Sequence, residues 1–274
     1  MIELPEAVTL SRQIVTMLTG RRIEAVEVNH TPHGLTGFGG DPAGYPELLE
    51  GRTVTGAAAW GGLVEIQAAD VRVVLGDGAH PRLVQPGAPL PAKHQLLLGL
   101  DDGASLVVTV QMYGGLHAFL DGQNDDPYYQ VARAKPSPLS DGFDAVHVGR
   151  LLDEPGVRGR SAKAFLATEQ RVPGLGNGTL QDILWNAGIQ PVRRVSTLSD
   201  AEIDALLGSV RQTLRRMTDD GGRDTERDLV GRPGGYATVM GRGALERPCP
   251  RCGGRVVKQV YLGGAVYFCP GCQV

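Results

Sequence analysis

The sequence lacks any run of 18 uncharged apolar residues, which excludes a transmembrane helix. Its first turn already carries Glu3 and Glu6, a pattern that is not typical of a secretory signal. We therefore expect a cytoplasmic protein without a membrane partner. Aromatic residues make up only 5% of the chain, whereas 39 glycines and 18 prolines supply many turns. This composition favours short strands and loops over a helical bundle, and the 42% hydrophobic content excludes a disordered chain.

Lysine is scarce, with four lysines among 27 basic residues, so the basic surface consists mostly of arginine. Arginine suits forked contacts with phosphate, although a GC-rich genome would produce the same bias. Residues 1–149 hold 9 basic and 17 acidic residues, a net charge of −8, whereas residues 150–274 hold 18 and 13, a net charge of +5. This asymmetry indicates that the C-terminal half meets a polyanion.

No cysteine precedes Cys249, and all four cysteines lie in the last 26 residues, as Cys249-x2-Cys252 and Cys269-x2-Cys272. Two such knuckles predict four thiolates that converge on one structural Zn²⁺; two disulfides or free thiols are the alternative. Apolar residues flank Gly263 and Gly264 between the knuckles, which is the pattern of a β-hairpin. The C-terminus is therefore predicted to be a zinc ribbon.

The rest of the chain divides into a β-rich and a helical part. A helix is predicted from Pro5 to Gly20, followed by short strands between Ile23 and Leu120 and a polar linker from Asp121 to Asp144. Helices follow around Phe165 and Leu184, and the capping box Ser199-x-x-Glu202 begins a third. The predicted fold class is α+β, an N-terminal β-sandwich with an N-terminal helix and then a helical domain with the zinc ribbon. We expect domains at 1–133, 149–230 and 240–274, with a linker at 134–148.

Between two of the predicted helices lies Pro173-Gly174-Leu175-Gly176-Asn177. Two glycines allow a sharp turn that exposes successive N–H groups before a helix, which suits a phosphate. An ordinary turn between helices explains the motif equally well. Alone, the motif does not decide between these interpretations.

Several segments together resemble the formamidopyrimidine-DNA glycosylase and endonuclease VIII family. They are the opening Glu3-Leu4-Pro5-Glu6, the Pro91-Ala92-Lys93-His94 segment, the run from Lys163 to Asn177, and the two cysteine knuckles, in the family's order. The resemblance implies a β-sandwich and a helix-two-turn-helix domain that hold damaged double-stranded DNA in the cleft between them. It also implies base excision by attack of an N-terminal proline amine on the sugar, followed by β-elimination with a glutamate as proton shuttle.

Part of this apparatus is present and part is missing. Glu3 and Glu6 match the family's carboxylates, but Ile2 stands in place of the proline and supplies a terminal amine only if Met1 is removed. The family's early lysine is absent from the segment 59–62, and its zinc-finger arginine falls on Gly264. Lys163 and Asn177 match positions that contact phosphates in the family, and Gly176 beside them is also expected to bind DNA. An ordinary solvated lysine and a helix-capping asparagine are the alternatives at Lys163 and Asn177.

The loop that fills the space left by an everted base is also altered. Asp77 stands at the family's methionine, and Met112-Tyr113-Gly114-Gly115 replaces an arginine-rich segment. Met112 and Tyr113 could still wedge the duplex. We expect a monomeric, nucleoid-associated repair protein with altered or reduced glycosylase and lyase chemistry. The alternative is a noncatalytic pseudoenzyme that recognises distorted DNA.

Overall fold

The computed structural model describes residues 1–274. The predicted N-terminal helix is confirmed as α1 (Leu4–Leu18). It begins with a capping box, in which the Glu3 side chain caps the first turn and Glu6 reaches back to the backbone of Glu3. Ile14 packs in the core of the β-rich half, whereas Leu4 packs in the core of the helical half. Helix α1 therefore joins the two halves and places the chain's N-terminus at their junction.

One seven-stranded sheet forms the β-rich half. Its elements are β1 (Ile23–Val28), β2 (Thr36–Gly39), the short helix α2 (Tyr45–Leu49), β3 (Val54–Trp60), β4 (Leu63–Ala68), β5 (Val71–Val84), β6 (Leu96–Leu100) and β7 (Ser105–Leu120). The strand order is β1-β6-β7-β5-β4-β3, and β2 pairs in parallel with β7. Every other pairing is antiparallel.

Strands β5 and β7 are long enough to take part in both layers of the predicted sandwich. Their shared ladder shifts register between Asp77 and Ala79, opposite Gln111 to Tyr113. Such a bulge bends the strands, so that the part holding β3 and β4 folds over the part holding β1 and β6. Side chains from both parts, such as Ile66 and Leu98, belong to one buried cluster.

The predicted polar linker contains a helix that its composition conceals. Helix α3 (Pro127–Ala134) begins at the N-cap Asp126, whose side chain accepts a hydrogen bond from the Tyr129 amide. Tyr129 and Ala132 pack against Leu63 on the outer face of the sheet. Only these two residues of the helix are buried. Two apolar positions do not stand out in a polar sequence, which explains why the sequence pattern is typical of a loop.

The second half is helical and carries the cysteine hairpin. It contains α4 (Ala145–Asp153), α5 (Ala162–Ala167), α6 (Leu180–Ala187), α7 (Asp200–Asp219), β8 (Val257–Tyr261) and β9 (Gly264–Phe268). The capping box of Ser199 and Glu202 is present at the start of α7, and α6 ends at the left-handed Gly188. These elements confirm the α+β fold class. No helix in the structure is both long enough and apolar enough to cross a membrane.

Candidate functional site

Glu3 lies at the junction of the two halves and is only 3% exposed. Its carboxylate accepts hydrogen bonds from the amides of Gly176 (3.0 Å), Gly178 (2.8 Å) and Thr179 (2.8 Å) and from the Thr179 hydroxyl (2.6 Å). Burial opposes ionisation, but Arg223 and these hydrogen bonds outweigh it and hold the pKa of Glu3 below its ordinary value. Glu3 is therefore a fixed carboxylate.

This arrangement corrects the interpretation of the glycine-rich turn as a phosphate seat. The amide of Gly176, and those of Gly178 and Thr179 after it, point at the protein's own Glu3 carboxylate. The turn does bind an anion, as two glycines before a helix suggest, but that anion comes from the N-terminus of the same chain. The turn thereby joins the helical half to the start of α1 through hydrogen bonds.

Arg223 is a buried cation between the two N-terminal glutamates. Its guanidinium donates to Glu6 from Nε (3.0 Å) and Nη2 (2.8 Å), and Nη1 lies 3.4 Å from Glu3. Burial lowers the pKa of Arg223, but the two carboxylates outweigh burial and raise it. A Cβ at Gly178 would lie 1.4 Å from Nη1, so only glycine leaves room for this arginine.

The N-terminal amine takes part in a third ion pair at the same junction. The Met1 ammonium lies 2.6 Å from Oε2 of Glu226, which is 19% exposed, and the Met1 carbonyl accepts a hydrogen bond from Arg223. The Ile2 amide donates to the Asp77 carbonyl (2.7 Å), and the Ile2 side chain is buried in the β-rich core. With Met1 present, the free amine is therefore the one beside Glu226.

The turn between β3 and β4 closes over this junction. A Cβ at Gly61 would lie 2.9 Å from the Gly174 nitrogen, and one at Gly62 would lie 3.2 Å from the Ile2 carbonyl. Gly61 also has a positive φ of 56°, which a side chain rarely adopts. A side chain at Gly61 therefore requires the backbone at Pro173 and Gly174 to move, and one at Gly62 crowds the Ile2 carbonyl.

Lys163 and Asn177 lie together under the cysteine hairpin. Nζ of Lys163 donates to the Tyr261 carbonyl (2.6 Å), and the Asn177 amide nitrogen donates to the Ala265 carbonyl (2.8 Å). Lys163 is only 4% exposed, so it is not an ordinary solvated lysine, and burial lowers its pKa. Both residues face Gly264, where a Cβ would lie 3.5 Å from each side chain.

Met112 and Tyr113 project from the bulge in β7. Met112 has a φ of 63° and is 70% exposed. The Tyr113 hydroxyl lies 3.9 Å from the sulfur of Met1, and Tyr113 is 45% exposed. The bulge therefore places two large exposed side chains beside the N-terminus.

The four cysteines converge as their spacing predicts, and their sulfurs all lie within 4.8 Å of one another. Cys249 and Cys272 are 3.8 Å apart, and Cys252 and Cys269 are 3.5 Å apart. A tetrahedral zinc with sulfur ligands at about 2.3 Å requires sulfur separations of about 3.8 Å. The site therefore fits a metal ion held by four thiolates.

A second cluster, Glu27 with His30 and His94, does not have this geometry. Glu27 lies 2.6 Å from Nδ1 of His30 and 2.9 Å from Nε2 of His94, and hydrogen bonds from these imidazoles hold the pKa of Glu27 below its ordinary value. The two rings stack with planes 5° apart. A single ion cannot lie in two parallel ring planes, so this arrangement is a hydrogen-bonded carboxylate between two imidazoles.

Relatives and solved structures match the chain over its full length, although no family model matches it. It is 32% identical to the formamidopyrimidine-DNA glycosylase of Alkalilimnicola ehrlichii and 34% identical to that of Laribacter hongkongensis, with all of each chain covered. The chain belongs to the formamidopyrimidine-DNA glycosylase family. Its structure is similar to a complex between the Lactococcus lactis member and DNA containing an abasic site, with 25% identity, 99% of each chain covered and a TM-score of 0.84.

In this chain, the residues predicted to act in catalysis and phosphate binding fall into two groups, apart from the four cysteines. Ile2, Glu3, Glu6 and Gly176 meet at the junction with the nearby Tyr113, whereas Lys163 and Asn177 meet under the hairpin. Sequence reasoning missed Arg223 and Glu226, which lie more than 200 residues from their partners. Gly221 and Gly222, which precede Arg223, both have a positive φ. This Gly-Gly pair was the one sequence signal of a tight turn before Arg223.

Proposed function

We propose that this protein binds damaged or abasic double-stranded DNA in base-excision repair, with altered or reduced glycosylase and AP-lyase chemistry. Family membership supports the DNA substrate. The buried Glu3 carboxylate, held by the amides of the glycine-rich turn, supports a retained catalytic carboxylate. The observation that carries the altered chemistry is the 2.6 Å contact between the Met1 ammonium and Glu226. An ammonium nitrogen has no free lone pair for attack on a sugar carbon.

Two chemical routes remain open to the site. In the first, Glu226 accepts the proton of the Met1 amine, the amine adds to the C1′ carbonyl of an abasic site, and the carbonyl oxygen leaves as water when the iminium forms. If Met1 is removed, the Ile2 amine takes this role. In the second, Glu3 activates water without a covalent step, with Glu6 and Arg223 holding it in place. Intact-mass measurement of the native protein distinguishes a Met1 terminus from an Ile2 terminus.

A noncatalytic DNA-binding pseudoenzyme is the second candidate function. The Arg223 guanidinium beside Glu3 favours it, because a cation that lowers the pKa of this carboxylate makes it a weaker proton acceptor. This candidate predicts that no base is released from any of a broad panel of lesions while binding persists. Base release from even one lesion favours the first candidate.

We further propose that DNA lies against the helix-two-turn-helix region and the hairpin. Nζ of Lys163 can donate three hydrogen bonds. It donates one to the Tyr261 carbonyl, which leaves two for a phosphate. Asn177 flanks it, and Met112 and Tyr113 wedge the duplex from the opposite half.

The proposed domains are 1–133, 149–230 and 240–274 with a linker at 134–148. The thiolate site holds one structural zinc, and the protein acts as a monomer at the nucleoid.

Salt-dependent binding tests the DNA role. Duplex DNA with a tetrahydrofuran abasic analogue should bind with an affinity that falls steeply as salt rises. Lys163→Ala should reduce the slope of log affinity against log salt by about 1, and both it and Asn177→Ala should weaken binding equally on all sequences. The control is Lys93→Ala, at an exposed lysine of the other half.

Each result has a distinct meaning. If Lys163→Ala lowers affinity without changing the salt slope, Lys163 only supports the hairpin and the phosphate role is wrong. If the wild-type protein binds no duplex at physiological salt, the proposed function itself is wrong.

A further inference from the structure

A groove of about 500 Å³ lies between α6, α7 and the segment that precedes the first cysteine knuckle. Trp185 and Asn186 line it from the last turn of α6, Gly208 and Gln212 from α7, and Tyr236 from the following segment. Its lining includes an arginine of α7 but no aspartate or glutamate. The groove is therefore polar and positively charged.

The groove is remote from the junction of the two halves. Gly176 and Asn177 precede α6, where they contact Glu3 and the cysteine hairpin, whereas Trp185 and Asn186 lie in the last turn of this helix. The helix is about 12 Å long. No residue assigned above to catalysis, phosphate binding or metal binding lines the groove. The functions proposed above therefore leave its chemistry unexplained.

Each of the two aromatic rings in the groove has an arginine against it. The Arg251 guanidinium lies 4.2 Å from the Trp185 ring centre, and Nη1 donates to the Trp185 carbonyl at 2.9 Å. The Arg216 guanidinium lies 5.7 Å from the Tyr236 ring centre, and the Tyr236 hydroxyl is fixed by a 3.0 Å hydrogen bond to buried Asp182. A guanidinium stacked on a ring keeps N–H donors at its edge for a carboxylate.

Both arginines are exposed and lack a close carboxylate of their own. The ion pair of Arg216 is with Asp220, at 3.8 Å, and Arg216 is 77% exposed. Arg251 forms no ion pair within the chain, and its one hydrogen bond is to the Trp185 carbonyl. Bidentate pairing with a carboxylate is the strongest contact that such a guanidinium makes. The two arginines therefore favour a guest that carries carboxylates.

Gly208 leaves the floor of the groove open although the fold does not require a glycine there. It lies inside α7, where glycine is less favourable than almost any other residue. A Cβ at Gly208 would meet nothing within 4 Å. Ala205 and Gln212 lie on the same face of α7 and also line the groove. A guest can therefore approach the helix backbone closely.

The remaining polar groups suit a peptide better than a nucleic acid. Asn186 and Gln212 are exposed amides, which both donate and accept hydrogen bonds as a peptide backbone requires. A nucleic acid carries a phosphate at every nucleotide and is bound by a row of cations. This groove offers only Arg216 in its lining and Arg251 behind Trp185.

We propose that this groove binds an extended acidic segment of a partner protein, whose carboxylates pair with Arg216 and Arg251. This docking role is independent of DNA binding, because the groove and the junction share no residue. A partner held here leaves the proposed DNA-binding face free.

Fluorescence anisotropy with defined peptides tests this role. The probes are labelled ten-residue glycine-serine peptides with two glutamates separated by two, four or six residues, and matched peptides carry glutamine instead. At low salt, at least one glutamate peptide should bind about tenfold more tightly than its glutamine counterpart, because hydrogen bonds to charged groups are the stronger ones. Arg216→Gln should weaken that binding by about fivefold, as loss of one exposed ion pair.

Gly208→Leu separates blocked docking from damaged folding. Its side chain should weaken peptide binding by at least about tenfold, since it fills the floor. The same change should raise Tm by about 2–3 °C, because leucine is the better helix former. The matched control is Gly149→Leu in α4, another helical glycine with nothing within 4 Å of its Cβ, which should leave peptide binding within about twofold.

Three results would overturn the docking role. They are equal binding of glutamate and glutamine peptides at every spacing, unchanged peptide binding by Arg216→Gln and Gly208→Leu, and displacement of the peptide by single-stranded oligothymidine, which would make the groove a nucleic-acid site. Binding of a tetrahydrofuran duplex should stay within about twofold of wild type in both variants, because neither residue lies on the proposed DNA-binding face.

Discussion

Replacing Arg223 tests whether the junction depends on its buried cation. Arg223→Met keeps most of the side chain's apolar length but leaves Glu3 and Glu6, at 3% and 5% exposure, without their counter-charge. Breaking a buried ion pair from one side costs about 3–5 kcal/mol. For a chain of this size, about 1 kcal/mol lowers Tm by about 2–4 °C. We therefore expect Arg223→Met to lower Tm by about 6–20 °C in a thermal scan at pH 7.

The pH dependence of this effect has a defined sign. The pKa of Glu3 is lowered in the folded protein, so its contribution to stability is present above its unfolded pKa of about 4.3 and is lost as pH falls through the folded value. The Tm difference between wild type and Arg223→Met should therefore shrink below about pH 4.

The control is Arg158→Met, which removes an exposed ion pair with Asp153 and should lower Tm by less than about 4 °C. A loss for Arg223→Met no larger than this control, or one that grows on acidification, would refute the account of the junction.

Two further predictions concern the metal and the carboxylate. Freshly reduced protein should contain one zinc per chain, and Cys249→Ser should release it, as measured by metal analysis; zinc-free wild-type protein would contradict the thiolate site. Any base release that the protein performs should fall by about 10²–10⁴ in kcat with Glu3→Gln, while DNA affinity stays within a few-fold. Unchanged release would show that Glu3 serves only the fold.

Local patterns in the sequence were sufficient to predict much of the fold. Helix α1, the capping box at Ser199 and the cysteine hairpin depend on residues close together in the chain, and the structure has all three. Helix α3 escaped prediction because its buried face holds only Tyr129 and Ala132.

The site was less predictable because its decisive contacts are distant in sequence. The partner of the glycine-rich turn is Glu3, about 170 residues away, and no local pattern distinguishes that carboxylate from a phosphate. Arg223 could not be placed either, since the space for its guanidinium depends on Gly178 from another loop. The partner of the Met1 amine, Glu226, is likewise more than 200 residues away in the sequence.

Borohydride trapping on DNA with an abasic site tests the central claim most directly. Borohydride reduces an iminium between the protein's amine and the sugar to a stable covalent complex. Because the Met1 amine is ion-paired with Glu226 and the family's proline is replaced by Ile2, we predict little or no trapped complex, while binding to the same DNA persists. Efficient trapping would contradict the account, and its loss on blocking the terminal amine would identify that amine as an active nucleophile.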